Sequence, residues 1–198
     1  SSSVGFVCHP SNGLYPSARH GLLKFEPTEN EVMLLIRRLQ NKQCSLDPIP
    51  TWLLKEVLDA IVPYLTVLFN SSLTTGIVPD GFKLAYVTPL LKKTGLDQNE
   101  ISSYRPISNL SVVSKLLERL VLSRVLTHLY SNNLFPALQS ASRSYHSTET
   151  AVLKVTSDLL RAADEGMFSV LVLLDMTAAF DTVDHGILLQ RLESSYGF

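Results

Sequence analysis

One aspartate stands at the end of an unbroken apolar run, where a carboxylate can do chemistry. Residues Val170 to Leu174 are all β-branched or leucine side chains, a pattern typical of a short strand that is buried on both faces. Asp175 follows directly, and a carboxylate at the rim of a buried strand normally meets a cation, a hydrogen-bond donor or water. Two interpretations stay open, namely a metal ligand and a solvated turn residue that ends the strand.

The residues after Asp175 favour the metal ligand. The small side chains of 177–179 leave room for a ligand or another backbone, and the aromatic Phe180 follows them. Asp181 and Asp184 lie in the same turn. Because acidic side chains favour the start of a helix, we interpret these two aspartates as the entry to a helix through Ile187 and Leu192.

The segment Leu173 to His185, LLDMTAAFDTVDH, resembles motif A of reverse transcriptases. Its form is similar to that of non-LTR, LINE-type retrotransposons of the L2 and CR1 group. The resemblance implies that Asp175 binds the catalytic Mg²⁺ and that Phe180 screens the sugar 2′-hydroxyl of the incoming nucleotide. It also implies an RNA-directed DNA polymerase that acts on an RNA template, a DNA primer and deoxynucleoside triphosphates.

Two predicted strands carry basic side chains at their ends. Lys92 and Lys93 follow the strand at 84–91, and Arg105 lies in the strand at 104–110. A hairpin of this kind would clamp a triphosphate, because arginine offers a fork matched to phosphate oxygens and lysine a mobile charge. For either lysine alone, the alternative is an ordinary solvated surface residue. The start of the second strand, YRPIS, is similar to the finger motif of the same family, which implies that Arg105 lies in the nucleotide-binding fingers.

The segment at 139–150 is similar to a family loop written Q-S-G-F-R-x-G-H-S-T. The resemblance implies that Arg143 and His146 contact nucleic acid, although His146 also suits a hydrogen-bonding residue at the entry to a helix. Three positions depart from the pattern, with Ala141 and Tyr145 in place of glycines and Ser142 in place of the aromatic residue. Because a glycine is often kept where φ is positive or where a backbone comes close, we expect the loss of the two glycines to strain the loop or to block a template contact.

Helical patterns fill most of the remaining chain. A capping box at Thr28 to Glu31 predicts a helix over 29–41, and a basic-faced helix is predicted over 111–132. Asp47, which precedes Pro48, is predicted to be a turn residue rather than a catalytic one. Further helices are predicted to start at Trp52, to run from Pro63 to a stop at Gly76, and to run from Ser147 or Thr148 to about Ala163 before Gly166.

Charge is distributed unevenly along the chain, and no segment has the length and composition of a membrane span. The net charge is −1, but residues 83–143 hold eight basic and three acidic side chains, whereas residues 144–198 hold three and eight. The basic middle suits phosphates and the acidic end suits a metal, unless both are only solvated surface. No apolar run reaches membrane length and no leader opens the chain, so we expect no membrane partner and an intracellular, nuclear or cytoplasmic location.

The resemblance implies an α+β fold, comprising the fingers and partial palm of a right-hand polymerase truncated before the catalytic hairpin. We predict a loop or disordered lead-in at 1–27, a helical N-terminal extension at 28–82 and a partial reverse transcriptase domain at 83–198. Two Mg²⁺ ions need carboxylates from more than one place, and the sequence has no adjacent Asp-Asp pair. We therefore expect no activity from this chain alone.

Two alternatives to a polymerase remain. One is a non-catalytic remnant that at most binds nucleic acid. The other is a phosphotransferase in which Asp175 is the nucleophile at a strand end. Haloacid-dehalogenase-like enzymes use an aspartate in this way and place a second aspartate two positions later. This sequence has Thr177 at that position, so the pattern disfavours such a phosphotransferase.

Overall fold

The computed structural model describes residues 25–41, 45–175 and 181–198. The chain divides into two compact units. The N-terminal unit comprises the described residues up to 128, and the C-terminal unit those from 129 onward. Among the predictions, the lead-in up to residue 24 and the position of Phe180 lie outside the described residues.

Five helices form the frame of the N-terminal unit, and the first begins at the predicted capping box. The Thr28 hydroxyl accepts a hydrogen bond from the Glu31 N–H at 3.3 Å, and the Glu31 carboxylate accepts one from the Thr28 N–H at 2.9 Å. The prediction placed the end of this helix at 41, but it ends at Arg37, because the chain turns there and Lys55 Nζ donates to the Leu39 carbonyl at 2.6 Å. The helices are α1 (Glu29–Arg37), α2 (Thr51–Glu56), α3 (Leu58–Thr75), α4 (Asp80–Lys83) and α5 (Val112–Ser131), of which α5 extends into the C-terminal unit.

The prediction that Pro63 starts a helix is wrong, because α3 begins at Leu58 and contains Pro63. Val57 sets the start, since its carbonyl accepts the N–H groups of Ala60 and Ile61. Pro63 lacks a donor for the Asp59 carbonyl, but both residues are exposed, so water can satisfy that oxygen. The predicted end is confirmed, because Gly76 takes the left-handed conformation, with φ of 68°, that favours glycine.

One apolar core holds these helices together. It draws side chains from α1, α2, α3 and α5. Completely buried residues such as Ile36 and Phe69 each contribute roughly 1.5–3 kcal/mol. The core residues are Val32, Ile36, Leu39, Leu54, Leu58, Val62, Leu65, Phe69, Leu116, Leu117 and Leu120.

The predicted hairpin is confirmed. Strand β1 (Ala85–Leu91) pairs antiparallel with β2 (Tyr104–Leu110), in a register that sets Tyr86 opposite Asn109 and Leu90 opposite Arg105. Pro89 lies opposite Pro106, which a two-stranded sheet tolerates because both strands are edges.

Two capped helices dominate the C-terminal unit, as predicted. α6 (Thr148–Asp164) begins with the Ser147 side chain as its cap, and Gly166 follows its end with a φ of 69°. α7 (His185–Tyr196) begins where Asp184 Oδ1 accepts the Ile187 N–H at 3.0 Å. None of the helices in the described part of the chain is both long enough and apolar enough to cross a membrane.

The predicted buried strand at 170–174 is not present. These residues belong to no strand and are exposed, with Val170 at 87% and Leu174 at 90% of full accessibility. A strand forms only where a second strand completes its ladder, and in the described residues β1 and β2 pair with each other alone. The composition of the run favours burial, but no surface among the described residues covers it.

An ion pair joins α1 to α5. Arg124 lies against the Glu31 carboxylate and over the Phe25 ring, 4.5 Å from its centre. The pKa of Glu31 is lowered, and the largest cause is the hydrogen bond from the Thr28 N–H. Burial of the carboxylate raises the pKa, whereas the hydrogen bond with the Thr28 hydroxyl and the charge of Arg124 lower it further. Because the pKa of Glu31 is lower in the folded state than in the unfolded state, its ionised carboxylate stabilises the fold at pH values above the unfolded-state pKa. This stabilisation is lost as the pH falls through the folded-state pKa.

Glu31→Gln should therefore lower the free energy of unfolding by about 0.5 kcal/mol at neutral pH, since the pair is partly exposed. Below the ordinary glutamate pKa of 4.5, wild type should lose stability while the variant loses less and the difference closes. The fluorescence of Trp52, the one tryptophan, measures this during urea unfolding. Glu118→Gln, at an exposed site on α5, is the control and should change little. A difference that widens in acid would contradict the prediction.

Candidate functional site

The basic residues predicted to bind the triphosphate lie at the distal end of the hairpin. Lys92 extends the ladder, because its N–H donates to the Ser103 carbonyl at 2.9 Å, and its Nζ donates to the Ser102 carbonyl at 2.8 Å. Lys93 and Arg105 are exposed, and neither forms an ion pair within the part of the chain that the structure describes. From the sequence, either lysine could be the one that binds the triphosphate. In the structure the Lys92 side chain binds the backbone of the loop between the strands, whereas Lys93 is exposed.

One face of the hairpin mixes polar side chains with the apolar Leu90 and Ile107. Residues opposite each other in an antiparallel pair share a face, so Arg105 shares a face with Tyr86, Thr88 and Asn109. The Asn109 amide donates to the Thr88 hydroxyl at 3.1 Å, which fixes both side chains.

This face continues into a cavity that the sequence did not reveal. The cavity has a volume of about 610 Å³ and lies between the hairpin, the end of α1 and the first turns of α5. We call it the helix–hairpin cavity. Its lining is mainly polar and basic: Arg38, Leu39, Gln40, Ser45, Asp47, Tyr86, Thr88, Asn109, Val112, Lys115 and Arg119. The one sequence signal was the spacing of Lys115 and Arg119, which puts both on the same side of a helix.

Asp47 connects this cavity to the start of α5. Its Oδ1 accepts a hydrogen bond from the Val112 N–H at 2.6 Å, across 65 positions of sequence. A carboxylate at this end of a helix satisfies a donor that has no partner in the helix and interacts favourably with the dipole. Asp47 is therefore an anchor of α5.

The loop residues predicted to contact nucleic acid bind their own loop. Arg143 donates to the carbonyls of Pro136 at 3.2 Å and Gln139 at 3.4 Å, and it lies over the Phe135 ring, 5.6 Å from its centre. His146 Nδ1 lies 2.9 Å from the Ser144 carbonyl, so this nitrogen carries the proton of the bond. Both side chains shape the loop, and their contact with nucleic acid stays a prediction.

The backbone strain expected at Ala141 and Tyr145 is present at Tyr145 but not at Ala141, which has no positive φ. Tyr145, which stands where the family pattern has glycine, has a φ of 63°, and Ser142 has a φ of 55°. Such angles cost a residue with a Cβ atom roughly 1–2 kcal/mol. Tyr145 is fully exposed, so its side chain returns nothing through burial.

Asp175 is described as an exposed residue after the apolar run. Its carboxylate oxygens are the donors that Mg²⁺ prefers, but Mg²⁺ takes six ligands. Within residues 25–41, 45–175 and 181–198, no group of three or more His, Cys, Asp or Glu side chains is arranged to hold a metal. The described residues fit the metal in donor type but do not complete its ligand set.

Comparison with known proteins identifies the relatives of this chain. The model of the family "Reverse transcriptase (RNA-dependent DNA polymerase)" matches residues 91–196, more than half of the chain. The chain is 32% identical over 165 residues to the RNA-directed DNA polymerase from mobile element jockey of Drosophila melanogaster. It is 30% identical over 167 residues to a probable RNA-directed DNA polymerase from transposon BS of the same organism. These matches cover 83% and 84% of this chain but only 18% of each relative, so the chain spans less than a fifth of their length.

Removal of the Asp47 anchor should loosen α5. Asp47→Ala leaves the Val112 N–H without its carboxylate and should lower the free energy of unfolding by about 1–2 kcal/mol, measured by Trp52 fluorescence. Asp47→Asn keeps an acceptor oxygen and should lose less than half as much. Equal losses in the two variants would contradict the capping role.

Relief of the loop strain should stabilise the C-terminal unit. Tyr145→Gly should raise the free energy of local opening over 137–150 by about 0.5–1 kcal/mol, because glycine adopts positive φ without steric cost but is more mobile when unfolded. Amide hydrogen exchange over this segment measures the change. Tyr145→Phe retains the Cβ atom and should match wild type, and faster exchange in the glycine variant would contradict the prediction.

Proposed function

Because the chain belongs to the reverse transcriptase family, we propose that it is the finger and early palm portion of an RNA-directed DNA polymerase of a retrotransposon. The family match over 91–196 carries this proposal, since it includes the second strand of the hairpin, the loop at 139–150 and the segment around Asp175. The proposed substrates of the whole polymerase are an RNA template, a DNA primer and deoxynucleoside triphosphates.

The hairpin tip is proposed to bind the triphosphate. Arg105 and Lys93 are exposed there without ion pairs in the described ranges, and Lys92 holds the backbone of the loop between the strands. Arginine binds two phosphate oxygens at once, and lysine follows a phosphate as it moves. A rigid ladder under these side chains limits the freedom that is lost when they bind.

Asp175 is proposed to bind a metal ion. Enzymes of this family generally use divalent metals, and we propose Mg²⁺ here because a carboxylate is a hard oxygen donor. When bound, the metal would stabilise the negative charge that develops during nucleotidyl transfer. The other ligands are proposed to come from parts of the polymerase beyond the described residues. Phe180 is proposed to lie against the sugar of the incoming nucleotide.

The exposed run at 170–174 is proposed to become a strand in the whole polymerase. Its residues are apolar on both sides, as in a strand that is covered on both faces. Pairing with further strands would complete its ladder and hold Asp175 at the rim of a sheet. This arrangement would give the palm of a right-hand polymerase.

Residues 1–198 alone are proposed to bind nucleic acid without catalysis. The supporting observation is that the described residues offer no cluster of acidic side chains around Asp175. The basic side chains of the hairpin and the cavity do not need such a cluster in order to bind phosphates.

Primer extension tests both roles. With Mg²⁺, an RNA template and a labelled DNA primer, residues 1–198 should incorporate no nucleotide. In a whole polymerase that contains this chain, Asp175→Asn should lower incorporation at least about 100-fold, since a metal contributes several kcal/mol to such a reaction. Asp181→Asn is the control and should retain activity. Incorporation by residues 1–198 that depends on Asp175, or a fully active Asp175→Asn polymerase, would contradict the assignment.

A further inference from the structure

The outer side of α3 carries almost no charge. Within this helix, all of which the structure describes, nine residues are exposed and Asp59 is the single charged one among them. Tyr64 is 77% and Val67 is 70% accessible, although both side chains are large and mainly apolar. The solvent side of a surface helix normally carries charged residues, and a helix that is apolar all round is normally buried. Because the inner side of α3 already packs in the core, the outer side is suited to a second partner.

This surface lies outside the part of the chain that the family match covers. α3 precedes the matched residues 91–196. The two other long helices of the described residues have charged outer sides, since α5 exposes Glu118 and Arg119 and α6 exposes Lys154 and Asp158. An uncharged outer side is therefore a property of α3 and not of helices in this chain generally.

The residues of this surface match each other when the direction of the helix is reversed. We call this stripe of exposed residues at helical spacing the α3 outer face: Val57, Ala60, Tyr64, Val67, Ser71 and Thr74. When two such helices pair antiparallel about a point midway between Tyr64 and Val67, Tyr64 lies opposite Val67 of the second copy. Ala60 then lies opposite Ser71, and Val57 opposite Thr74, and the members of each of these pairs are similar in size. A two-fold interface requires this self-complementarity, because residue i contacts residue j and j contacts i.

The position of Asp59 favours the antiparallel arrangement over the parallel one. In the antiparallel pair, the two Asp59 residues are about 13 residues, or about 20 Å, apart along the helix axis. This separation exceeds the Debye length of about 8 Å at physiological salt, so the two carboxylates do not repel each other appreciably. In a parallel pair they would lie side by side. The antiparallel pair also sets the N-terminus of each helix near the C-terminus of the other, which suits the helix dipoles.

The area of the α3 outer face predicts a weak, reversible contact. The face is about 26 Å long and one helix, about 10 Å, wide, so its footprint is roughly 260 Å² in each copy. A stable complex buries about 800 Å² of each partner, and smaller interfaces belong to transient complexes. We therefore expect a dissociation constant on the order of 10–100 µM.

We propose that this chain forms a reversible two-fold dimer in which the α3 outer faces of two copies pack antiparallel. A strongly acidic or basic partner would gain little from this face, because the face has no charge to complement. A second copy presents the same stripe with matched residue sizes and keeps its only nearby charge, Asp59, away from the contact. The inference goes beyond the proposed polymerase function and does not depend on it.

Disulfide cross-linking tests the register of the dimer. Helix axes roughly 8–10 Å apart bring facing Cα atoms to about 5 Å, which a disulfide can span. The native cysteines are first replaced through Cys8→Ser and Cys44→Ser. A mixture of chains with Ala60→Cys and chains with Ser71→Cys should then form a cross-linked heterodimer under mild oxidation, measured on a non-reducing gel. Either variant alone should cross-link at least about 10-fold less, because its two cysteines lie about 16 Å apart along the axis. Cross-linking of Ala60→Cys alone that equals the mixture would overturn the antiparallel register.

Sedimentation equilibrium measures the association itself. Val67→Lys should weaken dimerisation at least about 10-fold, because it sets two like charges close to the two-fold axis. A mixture of Val67→Lys chains and Val67→Glu chains should form a heterodimer with an affinity near that of wild type, since opposite charges then meet. Val152→Lys, which changes an exposed valine on α6, is the control and should associate as wild type does. A mixture that stays monomeric, or equal weakening by the control, would contradict the proposal.

Thermal unfolding distinguishes a lost dimer from a lost fold. The Tm of wild type should rise with protein concentration, because dimerisation stabilises the folded state by mass action. The Tm of Val67→Lys should not depend on concentration and should be no lower than that of dilute wild type, because lysine forms helix at least as well as valine. A wild type that stays monomeric at about 1 mM, well above the expected dissociation constant, would mean that another segment of the protein covers this face, and the proposal would fail.

Discussion

Burial of Leu116, Leu117 and Leu120 fixes α5 against the other helices of the N-terminal unit, and the basic side of the cavity depends on it. These residues alternate along α5 with Lys115 and Arg119, so burial of the leucines directs the two cations away from the core. The Asp47 carboxylate then fixes where the helix starts. Because the same loop and the same helix line the cavity, its charge is a direct result of how the core packs.

The hairpin is joined to this frame at its base. Ser114 Oγ on α5 donates to the Phe82 carbonyl just before β1 at 2.8 Å, and Phe82 packs against the core. β2 runs into α5 with only Ser111 between them. A hairpin attached at its base can keep its tip residues, Arg105 and Lys93, in solvent.

Local sequence patterns predicted most of the helices and strands, but they did not predict contacts between segments that are distant in the sequence. The capping box at Thr28, the helix cap at Ser147 or Thr148, the helix end at Gly76 and both hairpin strands follow from residues within a few positions of each other. Pro63 misled the prediction because buried side chains three and four residues apart, from Leu58 to Ser72, continue the helix through it. Asp47 was predicted to be a turn residue, but the Val112 N–H that it binds lies 65 positions away and no periodic pattern links them. The apolar run at 170–174 was predicted to be buried, and sequence periodicity cannot tell which chain or segment provides the covering surface.

The facing prolines of the hairpin have a consequence for how copies of this chain meet in solution. Pro89 and Pro106 offer no amide to a passing strand, so they interrupt the open ladders along which β-sheets grow from one molecule to the next. The run from Val170 to Leu174 has no proline and no charge, and all its side chains are accessible. When the chain is produced, intermolecular β-sheet and precipitation would begin at this run rather than at the hairpin. A charged substitution within the run would therefore improve solubility.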